Sequence, residues 1–216
     1  YFYYHFEPHG VWWERLKNNI PVIILEKVGL PTHIGKKEIK HFAHKADWIR
    51  MNKLYERGGI YMDIDTISVR GYNNLLNNKT VLGYEIKKDE LICNAVMMTI
   101  PNSPFFDIWL QEYEKEFDPN GWGEASIHLP GKINKRYPDL AMVLSENTFF
   151  RPYATEGRAI FEEKNVGIHP DAITLHLWES YTINYLKEIY DFQWINDNKE
   201  TLYGQIVFKN ISENDI

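Results

Sequence analysis

The stretch that most constrains this chain is Arg57 to Thr66, which reads RGGIYMDIDT. Gly58 and Gly59 are suited to ending a helix, because glycine takes the left-handed backbone that closes a last helical turn. Ile60 to Ile64 then reads as an apolar strand, and Asp63 and Asp65 stand two apart where it ends. Side chains two apart on a strand point to the same face, so a strict strand would aim both carboxylates one way. Paired carboxylate oxygens at a strand end suit a divalent cation such as Mn2+ or Mg2+, which also takes phosphate oxygens. The plainer alternative is two aspartates that close a strand.

The segments on either side supply the fold class. Tyr1 to Phe6 reads as a first strand, the segment around Trp12, Trp13 and Leu16 as a helix, and Val22 to Leu25 as a second, buried strand. From Lys36, the apolar positions Ile39, Phe42, Ala43, Ala46, Ile49 and Leu54 recur at helical spacing up to the glycine pair. Tyr72 to Asn78 reads as a polar turn or short helix, Thr80 to Tyr84 and Ala95 to Ile100 as strands, and Pro104 to Phe117 as an amphipathic helix. Beyond a loop-rich part lie a strand at Ala172 to Trp178, a helix at Thr182 to Phe192, a strand at Tyr203 to Lys209 and a polar, frayed C-terminus. The alternation predicts an α/β chain whose central mixed sheet is flanked by helices. In open α/β sheets ligands gather beyond the carboxyl ends of strands, which is where Asp63 and Asp65 fall.

Composition narrows the function classes. A chain of 216 residues that is 44% hydrophobic can bury a full core as one domain. A net charge of -6 argues against holding nucleic acid by its phosphates, which takes a basic face. Cys93 is the single cysteine, so neither an intrachain disulfide nor a thiolate zinc site can form, which fits a reducing, cytoplasmic setting. No apolar run approaches the ~20 residues of a membrane span. The opening residues show no signal-peptide pattern, and the chain begins without Met. Gly121, Gly123, Pro130, Gly131, Pro138 and Pro152 mark the loop-rich part as the expected substrate-shaping surface.

Further polar residues stand out. Asp47 and Arg50, three apart on a helix, share a face, as a plain intrahelical ion pair also would. Asn94 is expected just ahead of a strand, to reach a ligand or cap a turn. His176 sits within a predicted strand, where a lone histidine is a core residue or a ligand.

Together these residues carry a resemblance. ADWIRMNKLYERGGIYMDIDTI, Ala46 to Ile67, resembles the sugar-binding region of DXD-containing glycosyltransferases, a group that includes initiating α-1,6-mannosyltransferases, α-1,4-galactosyltransferases, bacterial capsule enzymes and, more distantly, clostridial glucosylating toxins. The shared elements are Asp, two residues, Arg, a Leu-Tyr pair, Gly-Gly-Ile-Tyr and Asp-x-Asp. The resemblance continues more weakly through Asn120 to Lys132, Phe149 to Tyr153 and Leu175 to Tyr181. Leu129-Pro130-Gly131 replaces a Gly-Pro pair of the animal relatives, and the usual N-terminal strand is replaced by YFYYHFEP.

The resemblance implies a single GT-A type, Rossmann-like domain, with a nucleotide-sugar half over about residues 1–100 and an acceptor half over about 101–216. It implies a Mn2+ (or Mg2+) dependent, retaining transfer of a hexose from a nucleotide-diphosphate sugar, UDP-sugar favoured over GDP-sugar, to a glycan or other hydroxyl. Asp65 would be the direct metal ligand, Asp63 would touch the ribose and the metal, and His176 would complete the metal or diphosphate site. Asp47, Arg50, Tyr61, Lys132 and Trp178 would bind the donor, with Asn94, Glu124 and His128 positioning the sugars. Two alternatives compete. Seven tryptophans and fourteen tyrosines would also suit a non-catalytic carbohydrate-binding domain. A haloacid-dehalogenase-type phosphatase also places D-x-D at a strand end, but no convincing acidic pair follows downstream, and Asp47, Arg50 and the glycine pair have no part in it.

Overall fold

The computed structural model describes residues 1–189 and 192–210. β1 (Phe2–Tyr4), α1 (Val11–Asn19) and β2 (Leu25–Lys27) form a parallel pair with a helical crossover, Phe2 standing opposite Leu25. The expected buried strand at Val22 to Leu25 is displaced, and Val22 is 80% exposed. β1 is three residues long and its ladder begins at Leu25, with the Ile24 carbonyl accepting from the Phe2 amide at 2.9 Å, so Val22 has no place in it. β3 (His33–Ile34) and β4 (Lys37–Glu38) turn through Gly35, and this hairpin delays the helix to α2 (Phe42–Arg57). Ile39 is therefore buried ahead of the helix, its amide donating to the Thr32 carbonyl.

α2 ends at the glycine pair as expected. The Gly58 amide donates to the Leu54 carbonyl at 2.7 Å, and Gly58 holds a φ of 66°. A Cβ there would stand 2.6 Å from Pro101, so both backbone and packing demand glycine. β5 (Gly59–Met62) stops short of Asp63, and β6 (Thr66–Ser68) resumes after a turn. Ile64, expected in the strand, is 91% exposed at that turn. Thr66 explains the break, since its amide and its hydroxyl both donate to the Asp63 carbonyl, at 3.1 and 2.6 Å.

A short 3-10 turn at Asn73–Leu75 precedes β7 (Thr80–Ile86) and β8 (Leu91–Thr99), both longer than expected. α3 (Pro104–Glu116), a π-helical turn at Glu124–His128, α4 (Leu129–Arg136), β9 (Met142–Leu144), α5 (Glu146–Phe149) and α6 (Gly157–Phe161) follow. β10 (Thr174–His176), α7 (Glu179–Leu186), α8 (Phe192–Asp197) and α9 (Leu202–Asn210) complete the described chain. The expected strand at Tyr203 to Lys209 is instead helix α9. Leu202 and Ile206, four apart, bury one helical face, and the Thr201 hydroxyl accepts from the Gly204 amide at its start. The expected frayed C-terminus, and residues 190 and 191 of the expected helix at Thr182 to Phe192, lie outside the described residues.

The main sheet is mixed, in the order β5-β8-β7-β9, antiparallel except for the β7 and β9 pair. Along β7, Leu82 faces α2 and α3, meeting Met51, Phe106 and Trp109, while Val81 faces Phe149, Phe150 and Ile160. Both faces are covered, which is why neighbouring positions on β7 and β8 are alike apolar. β6 pairs antiparallel with β10, setting Thr66 opposite His176 beside the carboxylates.

Gly83 marks the closest packing on that second face, because a Cβ there would stand 2.6 and 2.8 Å from the fully buried rings of Phe149 and Phe150. Gly83→Ala is expected to destabilise the chain by about 1–3 kcal/mol through overpacking. Thermal unfolding checks this, and an unchanged melting temperature would contradict the packing.

Candidate active site

Backbone pairing brings three donors together. The Asp63 amide donates to the Ala95 carbonyl of β8 at 2.8 Å, fixing the residue beyond β5. The Asp65 carbonyl accepts from the Leu177 amide at 2.8 Å, tying the turn to β10. Asp63, Asp65 and His176 each present one donor atom, and these lie within 4.8 Å of one another. The two aspartates therefore converge as expected, but through a turn and not along one strand face.

His176 is 7% exposed, and its Nε2 lies 3.3 Å from Asp65 Oδ2. Its ring packs on Trp178, with centroids 4.1 Å apart, and its buried Nδ1 has no hydrogen-bond partner. Asp65 Oδ2 also accepts from the Glu179 amide at 2.8 Å, capping α7. Burial alone would raise the Asp65 pKa, but the hydrogen bond and charge of His176, with the Glu179 amide, hold it below the ordinary carboxylate range. Two carboxylates and an imidazole at this spacing, with the aspartate side chains about one-fifth exposed, fit Mn2+ or Mg2+ with room for an outside ligand.

A second network lies behind the first. Arg50 Nη1 donates to Asp63 Oδ2 at 2.9 Å, and to the carbonyl and Oδ1 of Asn94 at 3.2 Å each. Its Nε lies 3.6 Å from Asp47 Oδ1, and Asn94 Nδ2 donates to that same oxygen at 2.8 Å. The Tyr61 hydroxyl donates to Asp63 Oδ1 at 2.5 Å, and the guanidinium lies 4.8 Å from the Tyr61 ring centre. Burial opposes the Arg50 cation, yet Tyr61, Asp63 and Asp47 more than offset it and hold its pKa high. Burial likewise raises Asp63, with Arg50 and Tyr61 pulling against it.

The other expected residues divide. Asn94 lies inside β8 and not ahead of it, and its side chain joins Asp47 to Arg50. Trp178 is buried with a φ of 56°, its indole donating to the Pro152 carbonyl at 2.8 Å. Glu124 folds back over Gly121, and His128 ends the π-helical turn exposed to solvent. Lys132 is engaged by Glu116 of α3 at 2.8 Å, not by the carboxylates of the DID turn. Glu85 of β7 was not expected; its only sequence signal is a charge interrupting the apolar strand pattern of VLGYEI. It is half-buried, and burial raises its pKa against the pull of His176.

A cleft of about 720 Å³ runs beside Arg50, Tyr61 and Ile64, walled on its far side by Tyr3, Tyr4 and His5. Another, of about 680 Å³, opens at Leu175 and Arg151; Asp63, Asp65 and His176 line neither cleft, and the first reaches them through Met62 and Ile64 on either side of Asp63. Removing Arg50 would leave buried Asp47 and half-buried Asp63 without their cation. Arg50→Ala is expected to destabilise the fold by about 3–5 kcal/mol, read as a lower midpoint in urea unfolding. A midpoint equal to that of the unaltered chain would show the pair to be dispensable.

The chain is 34% identical over 200 residues to Glucan organizing enzyme 1 of Cryptococcus neoformans var. grubii, covering 88% of this chain and 54% of that protein. It is 26% identical over 187 residues to an uncharacterized protein of Arabidopsis thaliana, covering 73% of this chain and 29% of that one. The chain thus spans about half the length, or less, of these relatives. No solved structure matches. Residues 5–82, which include Asp47, Arg50, Asp63 and Asp65, match the family model described as glycosyltransferase sugar-binding region containing DXD motif.

Proposed function

We propose that the chain is the catalytic domain, of GT-A type, of a metal-dependent, retaining glycosyltransferase. It would move a hexose from a nucleotide-diphosphate sugar, a UDP-sugar before a GDP-sugar, to a hydroxyl of a glycan or other acceptor. The observation that carries this reading is the convergence of Asp63, Asp65 and His176 within 4.8 Å beside a cleft of nucleotide size. When bound there, Mn2+ or Mg2+ supplies Lewis acidity that draws off the charge building on the diphosphate as the sugar leaves.

The residues of the chain prepare that site. Asp65 stays ionised because His176 and the Glu179 amide favour its charged form. Arg50 and Tyr61 each hold one oxygen of Asp63, so the carboxylate keeps its aim without a ligand. The Arg50 guanidinium is thereby committed to protein carboxylates, and its part in this reading is to orient Asp63 and not to grip phosphate. The cleft beside Tyr61 takes the nucleoside, with Tyr3 and Tyr4 offering aromatic faces to the base. Trp178, locked over His176, keeps water from the ring face of that ligand. Retention needs no protein nucleophile if the acceptor hydroxyl enters on the face the diphosphate leaves. The name of the Cryptococcus relative makes a glucan hydroxyl the acceptor to try first.

Thermal-shift titration with UDP, GDP and their sugar conjugates, each with and without Mn2+, tests the reading. A donor present at one hundred times its dissociation constant is expected to stabilise the native state by about 2.7 kcal/mol. Metal-dependent stabilisation by one nucleotide class supports it, and no response from folded protein refutes it. Asp65→Ala is expected to abolish metal-dependent nucleotide binding and transfer, while losing about 1 kcal/mol of stability with the cap on α7. His176→Ala is expected to weaken Mn2+ binding about tenfold or more; unchanged Mn2+ affinity with lower thermal stability would mark His176 as core alone.

A further inference from the structure

Trp122 is 67% exposed, more than any other tryptophan described, although an indole is a large apolar surface to leave in water. Its loop is built to hold it there. Gly123 behind it takes a φ of 88°, and the Gly123 carbonyl accepts from the Ile127 and His128 amides at 2.7 and 3.0 Å. The π-helical turn that follows is anchored by the Trp109 indole, which donates to the Ala125 carbonyl at 2.8 Å. Ahead of the ring, the Asn120 amide donates to Asp118 Oδ1 at 2.9 Å, and Asn120 Oδ1 accepts from Lys40 Nζ at 2.5 Å.

α2 supplies the other wall. The His41 and His44 rings lie 6.4 and 6.0 Å from the Trp122 ring and 5.3 Å from each other. His44 is buried at 4% exposure, with the buried Phe117 ring 5.1 Å away on one side and the exposed His41 and Trp122 rings toward solvent. Its Nδ1 has no hydrogen-bond partner, which is costly for a buried polar atom. Against Gly121, the half-buried Glu124 carboxylate has neither a hydrogen bond nor an ion pair among the described residues.

An exposed indole beside an unpaired imidazole nitrogen and an unpaired carboxylate matches a neutral ligand with apolar faces and many hydroxyls. A hexose lays its C–H face on such a ring and turns its hydroxyls to groups that accept and donate. An anion fits poorly, because Glu124 repels it and the Lys40 ammonium is already held by Asn120. A protein partner would call for a broader apolar patch than one ring between two glycines. The position also suits an acceptor. Arg50, Asp47 and His44 follow one another along α2 in steps of three, and Arg50 reaches Asp63 of the DID turn. His44 therefore stands about 9 Å of helix rise from Arg50, beyond the length of the residues that hold the metal site.

Resting on the glycosyltransferase reading above, we propose that Trp122, with His41, His44 and Glu124, forms a subsite for a neutral oligosaccharide, holding the acceptor glycan at a unit remote from the one that receives the hexose. The indole stacks on that sugar, and Glu124 accepts from its hydroxyls. His44 Nδ1 gains a hydroxyl partner as the Trp122 ring shifts between its glycines to lie on the sugar.

Isothermal titration calorimetry of the unaltered protein with maltohexaose, cellohexaose and laminarihexaose tests this without any donor. At least one hexaose is expected to bind, with an affinity about tenfold or more above that of its own disaccharide. Trp122→Ala is expected to weaken that binding about tenfold or more, and Trp122→Phe, which keeps an aromatic face, by about two- to threefold. An unchanged melting temperature certifies the fold of both variants, since the ring they alter is exposed. Binding of none of the hexaoses overturns the proposal, and so does equal affinity in Trp122→Ala. Mn2+-dependent nucleotide binding with no hexaose binding overturns the subsite alone, whereas hexaose binding with no such nucleotide binding refutes the glycosyltransferase reading on which the acceptor role stands.

Discussion

The buried guanidinium of Arg50 is the interaction on which the site depends. A cation at 8% exposure is stable only with its charge matched, and here Asp47 and Asp63 match it while Asp63 and Asn94 accept from its Nη1. The arrangement couples three elements: α2 brings Arg50 and Asp47, β8 brings Asn94, and the end of β5 brings Asp63. None of the three can shift without leaving charge unpaired in a poorly solvated place. Asp63 therefore reaches the solvent-facing side of the site with one oxygen already held by α2, which is what preorganisation means for a carboxylate.

The division of the sheet into two covered faces explains where the chemistry emerges. Asn94 faces α2, whereas Cys93 and Ala95 face the aromatic layer of Phe149 and Phe150. The donor set forms where these layers run out, at the turn between β5 and β6, since a charged group inside either layer would lack solvent and partners alike. Asp63 belongs to the first layer through Arg50, and His176 to the second through Phe150 and Trp178. Asp65, in the turn between them, is met from the second side.

Much of this was legible in the sequence, and the reasons for the failures are physical. The helix to Arg57, its glycine stop and the nearness of Asp63 to Asp65 follow from local rules, and the structure keeps all three. The pairing of Asp47 with Arg50 followed from helical spacing, but its burial did not, because burial depends on Asn94 arriving from a strand distant in sequence. Tyr203 to Lys209 read as a strand because its aromatic and β-branched residues favour one, and the i,i+4 pair of Leu202 and Ile206 prevailed through packing on α6. The partner of Lys132 is invisible in the sequence, because Glu116 reaches it from α3, sixteen residues away. Glu85 showed only as a charge within an apolar run, since the bulge it stands in is a property of two strands and not of one.

The cap that Asp65 places on α7 has a consequence for how the molecule assembles. Asp65 and Glu179 lie 114 residues apart, so their contact closes a loop of more than half the chain. Closing such a loop carries an entropy cost of about 4 kcal/mol for a flexible chain, a debt met only by cooperative formation of the structure between. The third donor of the site is thus a non-local feature that waits for the second half of the polypeptide, and a nascent chain emerging from synthesis holds the DID turn long before it holds a complete ligand set. Completion of that site is in this sense a kinetic marker of the finished topology, belonging to the high-contact-order end of the folding sequence.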